Sequence, residues 1–179
     1  MRSPYAAAAT LLLAACAAPG FLLPATDVDF ELSGRIAVTY RDEAASGNLA
    51  WRHGALEDEL LLSSPLGQGL ARIVRAAGEF TLTLQDGREF RAADAESLTE
   101  QALGFRLPLA GLAHWVRGRP ARGPAPGPTL VRLDAEGRPA RIEQDGWQID
   151  YLEYAGERPS RLRLSYPGVE MRLAISDWK

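Results

Sequence analysis

From Phe30 the chain alternates strictly: Phe30, Leu32, Gly34, Ile36, Val38 and Tyr40 take one side, and Glu31, Ser33, Arg35 and Thr39 the other. Period two over that length describes a half-buried strand. The same rhythm returns in Leu49 and Trp51, across 60–62 and 69–76, and in Phe80, Leu82 and Leu84. Asp86-Gly87 supplies residues that tolerate positive φ, a hairpin signal leading into Glu89 and Phe90. Between Asp94 and Pro128 the rhythm breaks. Asp94 is placed to cap a helix with Leu98, Ala102 and Leu103 on one side and Gly104 at its end. Pro108 opens a second helix, with Leu109, Leu112, Trp115 and Val116 at helical spacing and Gly118 as the stop. Residues 117–128, rich in Arg, Pro and Gly, read as an exposed loop. Strand rhythm then resumes at 130–133 and 140–144, in Trp147, Ile149 and Tyr151, in Leu162, Leu164 and Tyr166, and in Val169, Met171, Leu173 and Ile175. Turns at 134–137, Asp145-Gly146 and Pro167-Gly168 separate these runs.

No helix long enough for a parallel crossover lies between most of these strands, so the sheet is antiparallel. The fold class is mainly β: one large sheet of about eleven short strands with a short helical insertion over about 94–118. A sheet that broad curls. Two helices of roughly ten residues are too small to cover its inner face, which leaves apolar surface as a cavity or under a ligand.

The start of the chain adds an anchor. A short apolar run, Leu11-Leu12-Leu13-Ala14-Ala15, follows Arg2 and ends before Cys16, the only cysteine among 179 residues. The run is too short for a membrane span, which needs about 20 apolar residues, and has the layout of a cleaved secretory signal over 1–15. Leu-Ala-Ala-Cys resembles the site at which a bacterial lipoprotein is cut and its cysteine lipidated. Covalent lipid on Cys16 is then expected, with 16–28 as a flexible tether and 29–179 as one domain; within the tether Phe21, Leu22 and Leu23 are unusually apolar and lie either near the membrane surface or at the domain edge. The alternatives are a plain signal peptide or an N-terminal buried cysteine. The second mature residue is Ala17 rather than aspartate, which by likeness to enterobacterial lipoprotein sorting favours the outer membrane.

Composition removes several functions. The formal charge of −3 argues against nucleic acid, which calls for a basic face. With one cysteine no intrachain disulfide forms. His53 and His114 lack partners at metal-ligand spacing and read as surface or boundary histidines. Gly67-Gln68-Gly69 starts like a phosphate loop, but Arg72 stands where the third glycine belongs and a strand follows. Glu57-Asp58-Glu59 reads as a solvated turn rather than paired catalytic carboxylates. Arg117, Arg119 and Arg122 make their loop basic, either simply solvated or facing anionic headgroups or an acidic partner. No metal, no cofactor beyond the lipid on Cys16 and no reaction are expected: a binding protein, not an enzyme. One more stretch, Ser64-Pro65-Leu66-Gly67, sets a leucine at a turn tip. Such a leucine is either an ordinary exposed residue or, on a tethered protein, one that dips into a bilayer.

Several segments together resemble the LolB-type outer-membrane lipoprotein receptors of the lipoprotein-localisation family. They are Ser33-Gly34-Arg35-Ile36-Ala37-Val38, Gly47-Asn48-Leu49-Ala50-Trp51 and Leu62-Ser63-Ser64-Pro65-Leu66-Gly67, then Ala92-Ala93-Asp94-Ala95-Glu96 and Leu107-Pro108-Leu109. His114-Trp115-Val116-Arg117-Gly118, Gln144-Asp145-Gly146-Trp147 and Ile175-Ser176-Asp177-Trp178 complete the ordered set. The resemblance implies an open, unclosed barrel with a helical lid over an apolar cavity. It implies a monomer, anchored in the outer membrane and facing the periplasm, that accepts cargo lipoproteins from a LolA-like periplasmic carrier and places them in the inner leaflet. Cys16 distinguishes such a receptor from the soluble carrier. The family's protruding membrane-delivery residue maps onto Leu66, within Pro65, Leu66 and Gly67. From alternation, the acyl-chain lining is Ile36, Val38, Trp51 and Leu82 on the first half of the sheet and Trp147, Ile149 and Leu173 on the second. Leu109 and Leu112 contribute from the lid. The family's spacer is often longer, whereas residues 17–28 here reach roughly 40 Å at full extension. A lipid-anchored sensor or chaperone that holds amphiphiles without delivering them is the alternative.

Overall fold

The computed structural model describes residues 20–24, 27–122 and 127–179. Cys16, the expected signal 1–15 and residues 123–126 lie outside them. Among the described residues eleven strands and two helices follow one another as β1 (Val28–Tyr40), β2 (Glu43–Gly54), β3 (Asp58–Ser63), β4 (Gly69–Ala76), β5 (Glu79–Leu84), β6 (Glu89–Ala92), α1 (Ala95–Leu103), α2 (Leu109–Trp115), β7 (Thr129–Leu133), β8 (Pro139–Gln144), β9 (Trp147–Ala155), β10 (Arg158–Tyr166) and β11 (Val169–Trp178). The strands form a single antiparallel sheet in the order β6-β5-β4-β3-β2-β1-β11-β10-β9-β8-β7. Two meanders are therefore joined by one pairing, β1 on β11. Strands β6 and β7 are the two edges, and the sheet is not closed.

The inner face is built in register. Leu32, Trp51, Leu60, Ile73, Leu82 and Phe90 stand opposite one another across β1 to β6. Ile142, Ile149, Leu164, Met171 and Val38 do the same from β8 back to β1. Alternation alone places every one of these side chains on one face. The turn 64–68, the hairpins after β1, β5, β8 and β10 and the start of β7 form one rim, here called upper; the other turns form the lower rim.

Helix α1 forms as expected. The Asp94 carboxylate accepts from Ser97 N at 2.7 Å, and Gly104 closes the helix at φ 79, a left-handed cap that glycine adopts without strain. Helix α2 is shorter than expected, ending at Trp115 rather than running to Gly118. Edge β7 is preceded by Pro128, and Pro120 interrupts the chain before it; proline has no N–H for a ladder, which discourages closure of the seam.

Two expectations change. The acidic run Glu57-Asp58-Glu59 is not a solvated turn: Asp58 and Glu59 begin β3 and are buried. Asp58 faces inward at the lower rim, where Trp51 Nε1 (3.1 Å), His53 Nδ1 (2.5 Å) and Arg75 Nε (2.5 Å) surround its carboxylate. Its burial is sustained by partners from β2 and β4. Residues 20–24 are likewise not free tether but lie against the outer face of the sheet, which agrees with the domain-edge alternative for Phe21, Leu22 and Leu23.

A Cβ built on Gly34, at the irregularity in the β1–β11 ladder, comes within 2.1 Å of Ala174 O. Gly34→Ala is expected to destabilise the domain by about 1–3 kcal/mol through overpacking at the junction of the two meanders, read by urea denaturation. On the outer face, burial raises the Asp150 carboxyl pKa, but hydrogen bonds from Arg141, Gln148 and Arg163 outweigh it and hold the group below the usual carboxylate range. A depressed folded pKa contributes stability above the unfolded value, and that contribution is lost as pH falls through the folded one. Asp150→Asn is therefore expected to lower the melting temperature at neutral pH, with the difference from wild type vanishing in acid below about pH 4.

Candidate functional site

Helix α1 packs along β5 and β6, and α2 enters the concave side of the sheet. The apolar face of α2 is what seats it: Leu109, Leu112, Ala113 and Trp115 are buried, and Val116 just beyond is fully so. Each large side chain contributes roughly 1.5–3 kcal/mol by leaving water. Trp51, Leu82, Trp147, Ile149 and Leu173 are buried in the same cluster, with Ile36 and Val38 half-buried against it. All of these side chains lie on the inward face. The expected hollow, however, is occupied in this structure by the protein's own helices, whose apolar side chains take the place a hydrocarbon chain would need.

The two ends of the insertion are held differently. At the C-terminal end the attachments are buried: Tyr151 Oη donates to Trp115 O (2.7 Å) and Trp115 Nε1 donates to Gln144 Oε1 (3.0 Å). Gln144 also accepts from Ala121 N and donates to Ala121 O, fixing the chain beyond the helix. Burial pushes the Tyr151 phenol well above its usual range, so it remains a donor. Burial, and then the neighbouring Arg117 charge, pull His114 below its ordinary value, so it is neutral at pH 7. At the upper end the linker 104–108 is latched more lightly. Tyr40 Oη donates to Gly104 O (2.8 Å) in an exposed bond, and the Tyr40 and Phe105 rings meet at 5.1 Å. Buried polar bonds are costly to break and exposed ones are replaced by water, so the insertion loosens first at the linker 104–108 on the upper rim.

That rim carries the turn 64–68. Gly67 N donates to Ser64 O (2.9 Å), Ser64 N to Gln68 O (2.8 Å) and Asn48 Nδ2 to Ser64 O (3.0 Å). Pro65 presets one φ, and Gly67 takes the positive φ of 86 that closes the turn. Between them Leu66 is 92% exposed, held outward by a turn that these bonds close. Pro65, Leu66 and Gly67 are thus brought together as expected. A further apolar strip escaped notice: Leu130, Val131 and Leu133 are exposed on edge strand β7 at the open seam. Only the edge position, invisible in the residues themselves, marks them.

The N-terminal segment runs over the opposite, outer face of β2 to β4. Leu22 N donates to both Glu59 carboxylate oxygens (2.9 Å each) and Leu23 N to Glu59 Oε2 (2.9 Å). Arg52 Nη1 donates to Leu23 O (2.8 Å), and Arg72 Nη2 to Gly20 O (3.0 Å).

The family model described as "Outer membrane lipoprotein LolB" matches residues 28–178. The chain is similar to an outer-membrane lipoprotein LolB of Thiobacillus denitrificans, 47% identical over 151 residues that cover 83% of this chain and 78% of the relative. It is similar also to one of an Azoarcus species, 37% identical and covering 97% and 93%. Among solved structures, a LolA superfamily protein from Nitrosomonas europaea shares the fold, with a TM-score of 0.54 over 86% of each chain at 12% identity.

The unequal ends of the insertion predict unequal mutations. Tyr40→Phe is expected to leave stability within about 0.5 kcal/mol yet speed the uptake of an apolar fluorophore. Gln144→Leu strands the Trp115 indole N–H and is expected to cost about 1–3 kcal/mol. Urea denaturation and stopped-flow binding measure the two effects.

Proposed function

Because the chain belongs to the outer membrane lipoprotein LolB family, we propose that it receives lipoproteins from a LolA-like periplasmic carrier by their acyl chains and inserts them into the inner leaflet of the outer membrane. One observation supports this reading most directly: an apolar concave face, covered by helices that are lightly latched at the same rim from which Leu66 projects. The chain itself is held at that membrane by lipid on Cys16.

Acceptance begins when the Tyr40 latch releases and the upper end of α2 moves out. Acyl chains then replace Leu109 and Leu112 against Trp51, Leu82, Trp147, Ile149 and Leu173, with Ile36 and Val38 at the half-buried margin. No bond is made or broken. Transfer runs downhill when this face binds the acyl chains more tightly than the carrier does and the bilayer more tightly still, since a shift in population cannot exceed the difference in affinity. Leu66 serves the last step. Full burial of one leucine contributes only about 1.5–3 kcal/mol, enough to perturb a leaflet locally but not to keep a whole domain there. Residence therefore falls to the lipid, and stable attachment takes two chains or a second signal.

Leu66→Glu tests the division of labour. Release of a radiolabelled lipoprotein from loaded carrier is expected to be unchanged, while its recovery in outer-membrane vesicles falls by roughly tenfold or more. Equal loss at both steps, or none at either, contradicts the assignment. A wild-type protein that takes up the cargo but never delivers it indicates instead a chaperone that only holds amphiphiles.

A further inference from the structure

Glu59 is a carboxylate with no exposed side-chain surface, on the outer face of a sheet whose core lies on the other side. Burying such a charge is costly unless it is paired and hydrogen-bonded. Its partners are mostly not in the sheet. Both oxygens accept backbone N–H groups of Leu22 and Leu23, and Arg72 Nε stands 3.4 Å away. Arg52 completes the arrangement: it donates to Leu23 O, pairs with Glu31 at 2.6 Å, and sets its guanidinium 4.3 Å from the centre of the Phe21 ring. Arg72 holds Gly20 O. Three charged side chains thus meet donors and acceptors of one short stretch of backbone, and Leu22 adjoins Leu61 and Leu70 beside a shallow hollow of about 330 Å³.

The stretch has a direction. Asp27 O lies against Gly54 at the lower rim, 2.6 Å from a Cβ built there. Going back along the chain, Leu23 is held by Arg52, Leu22 by Glu59 and Gly20 by Arg72, which pairs with Leu61 in the middle of β3. The segment therefore climbs toward the turn 64–68. Cys16 precedes Gly20 by four residues, a reach of at most about 14 Å, whereas a free tether starting at Asp27 would allow roughly 40 Å. Four residues in any conformation keep Cys16 within that distance of Gly20, and so within reach of the upper half of the outer face.

We propose that residues 20–24 are a strap, seated on Glu59, that turns the upper rim with Leu66 and the lid latch toward the lipid surface in which Cys16 is anchored. The orienting role rests on the anchor reading of Cys16; the strap itself does not. A free tether would leave the domain to present either rim to the membrane. A seated strap fixes one, so that the single leucine meets the leaflet without an orientational search.

Two measurements on the full chain test this. Hydrogen exchange of the Leu22 and Leu23 amides is expected to be slowed by roughly tenfold or more relative to an unstructured peptide; free exchange overturns the strap. For orientation, a fluorophore is attached to the lipidated protein at Asp42→Cys, on the upper rim, or at Glu157→Cys, on the lower. Phosphatidylethanolamine–phosphatidylglycerol vesicles carrying a spin-labelled lipid quencher then report proximity. Severalfold stronger quenching at the upper site is expected, and the contrast should disappear in Leu22→Pro/Leu23→Pro. That variant removes both donors to Glu59 and leaves every residue of the sheet in place. Equal quenching at both sites in the wild-type background, or a contrast that survives the double proline variant, overturns the orienting role. Failure of the anchor reading is seen separately, as a mature mass without lipid on Cys16.

Discussion

The pairing of the first strand with the last governs this molecule. Because β1 lies against β11, the free edges of the sheet are β6 and β7, which are neighbours in sequence order at the middle of the chain. Whatever connects them must span the mouth of the curled sheet. The insertion that carries α1 and α2 does so, and the apolar side chains of those helices have one dry place to go, the concave face. Cover and container are thus consequences of a single ladder, which explains why Gly34, where β1 and β11 approach too closely for a side chain, stands at such an exacting position.

A cover made of the protein's own hydrophobic groups sets the energetics of ligand exchange. Lifting Leu109 and Leu112 from the sheet, with Trp115 kept at its place, gives up about 1.5–3 kcal/mol for each side chain that reaches water. An acyl chain of on the order of 15 methylenes, at about 0.8 kcal/mol each, returns roughly 12 kcal/mol. The return exceeds the cost of exposing those two leucines, about 3–6 kcal/mol. The filled interior is therefore compatible with a binding role: a protein that must release its cargo is better served by a face that re-covers itself than by a permanent void. The asymmetric attachment of the insertion adds direction, with the buried Tyr151–Trp115 bond acting as pivot and the exposed Tyr40–Gly104 bond as catch.

Much of this was legible from the chain alone, because alternation and capping are local. The run from Phe30 to Tyr40, the repeated short strands and the Asp94 cap each rest on residues a few positions apart. The acidic stretch was not legible, for the opposite reason. Asp58 and Glu59 look like a solvated turn until His53, Arg75, Arg72 and the backbone of Leu22 arrive from other strands and from the N-terminal segment. The inward face was recognised, but not what fills it, since spacing says which side a residue faces and nothing of how far a helix sinks. Leu66 could be placed at a turn tip from Pro65 and Gly67. The degree to which it protrudes depends on Asn48 bracing the loop from β2.

Edge strand β7 has a consequence for molecules crowded on one membrane. Its uncovered Leu130, Val131 and Leu133 are the kind of row onto which a second copy could zip. Arg132, 62% exposed, sits in the middle of that row. Any antiparallel pairing centred there sets the guanidinium against its own twin. Like charges held face to face repel, so the same strand that leaves the seam open disfavours that register of pairing between copies.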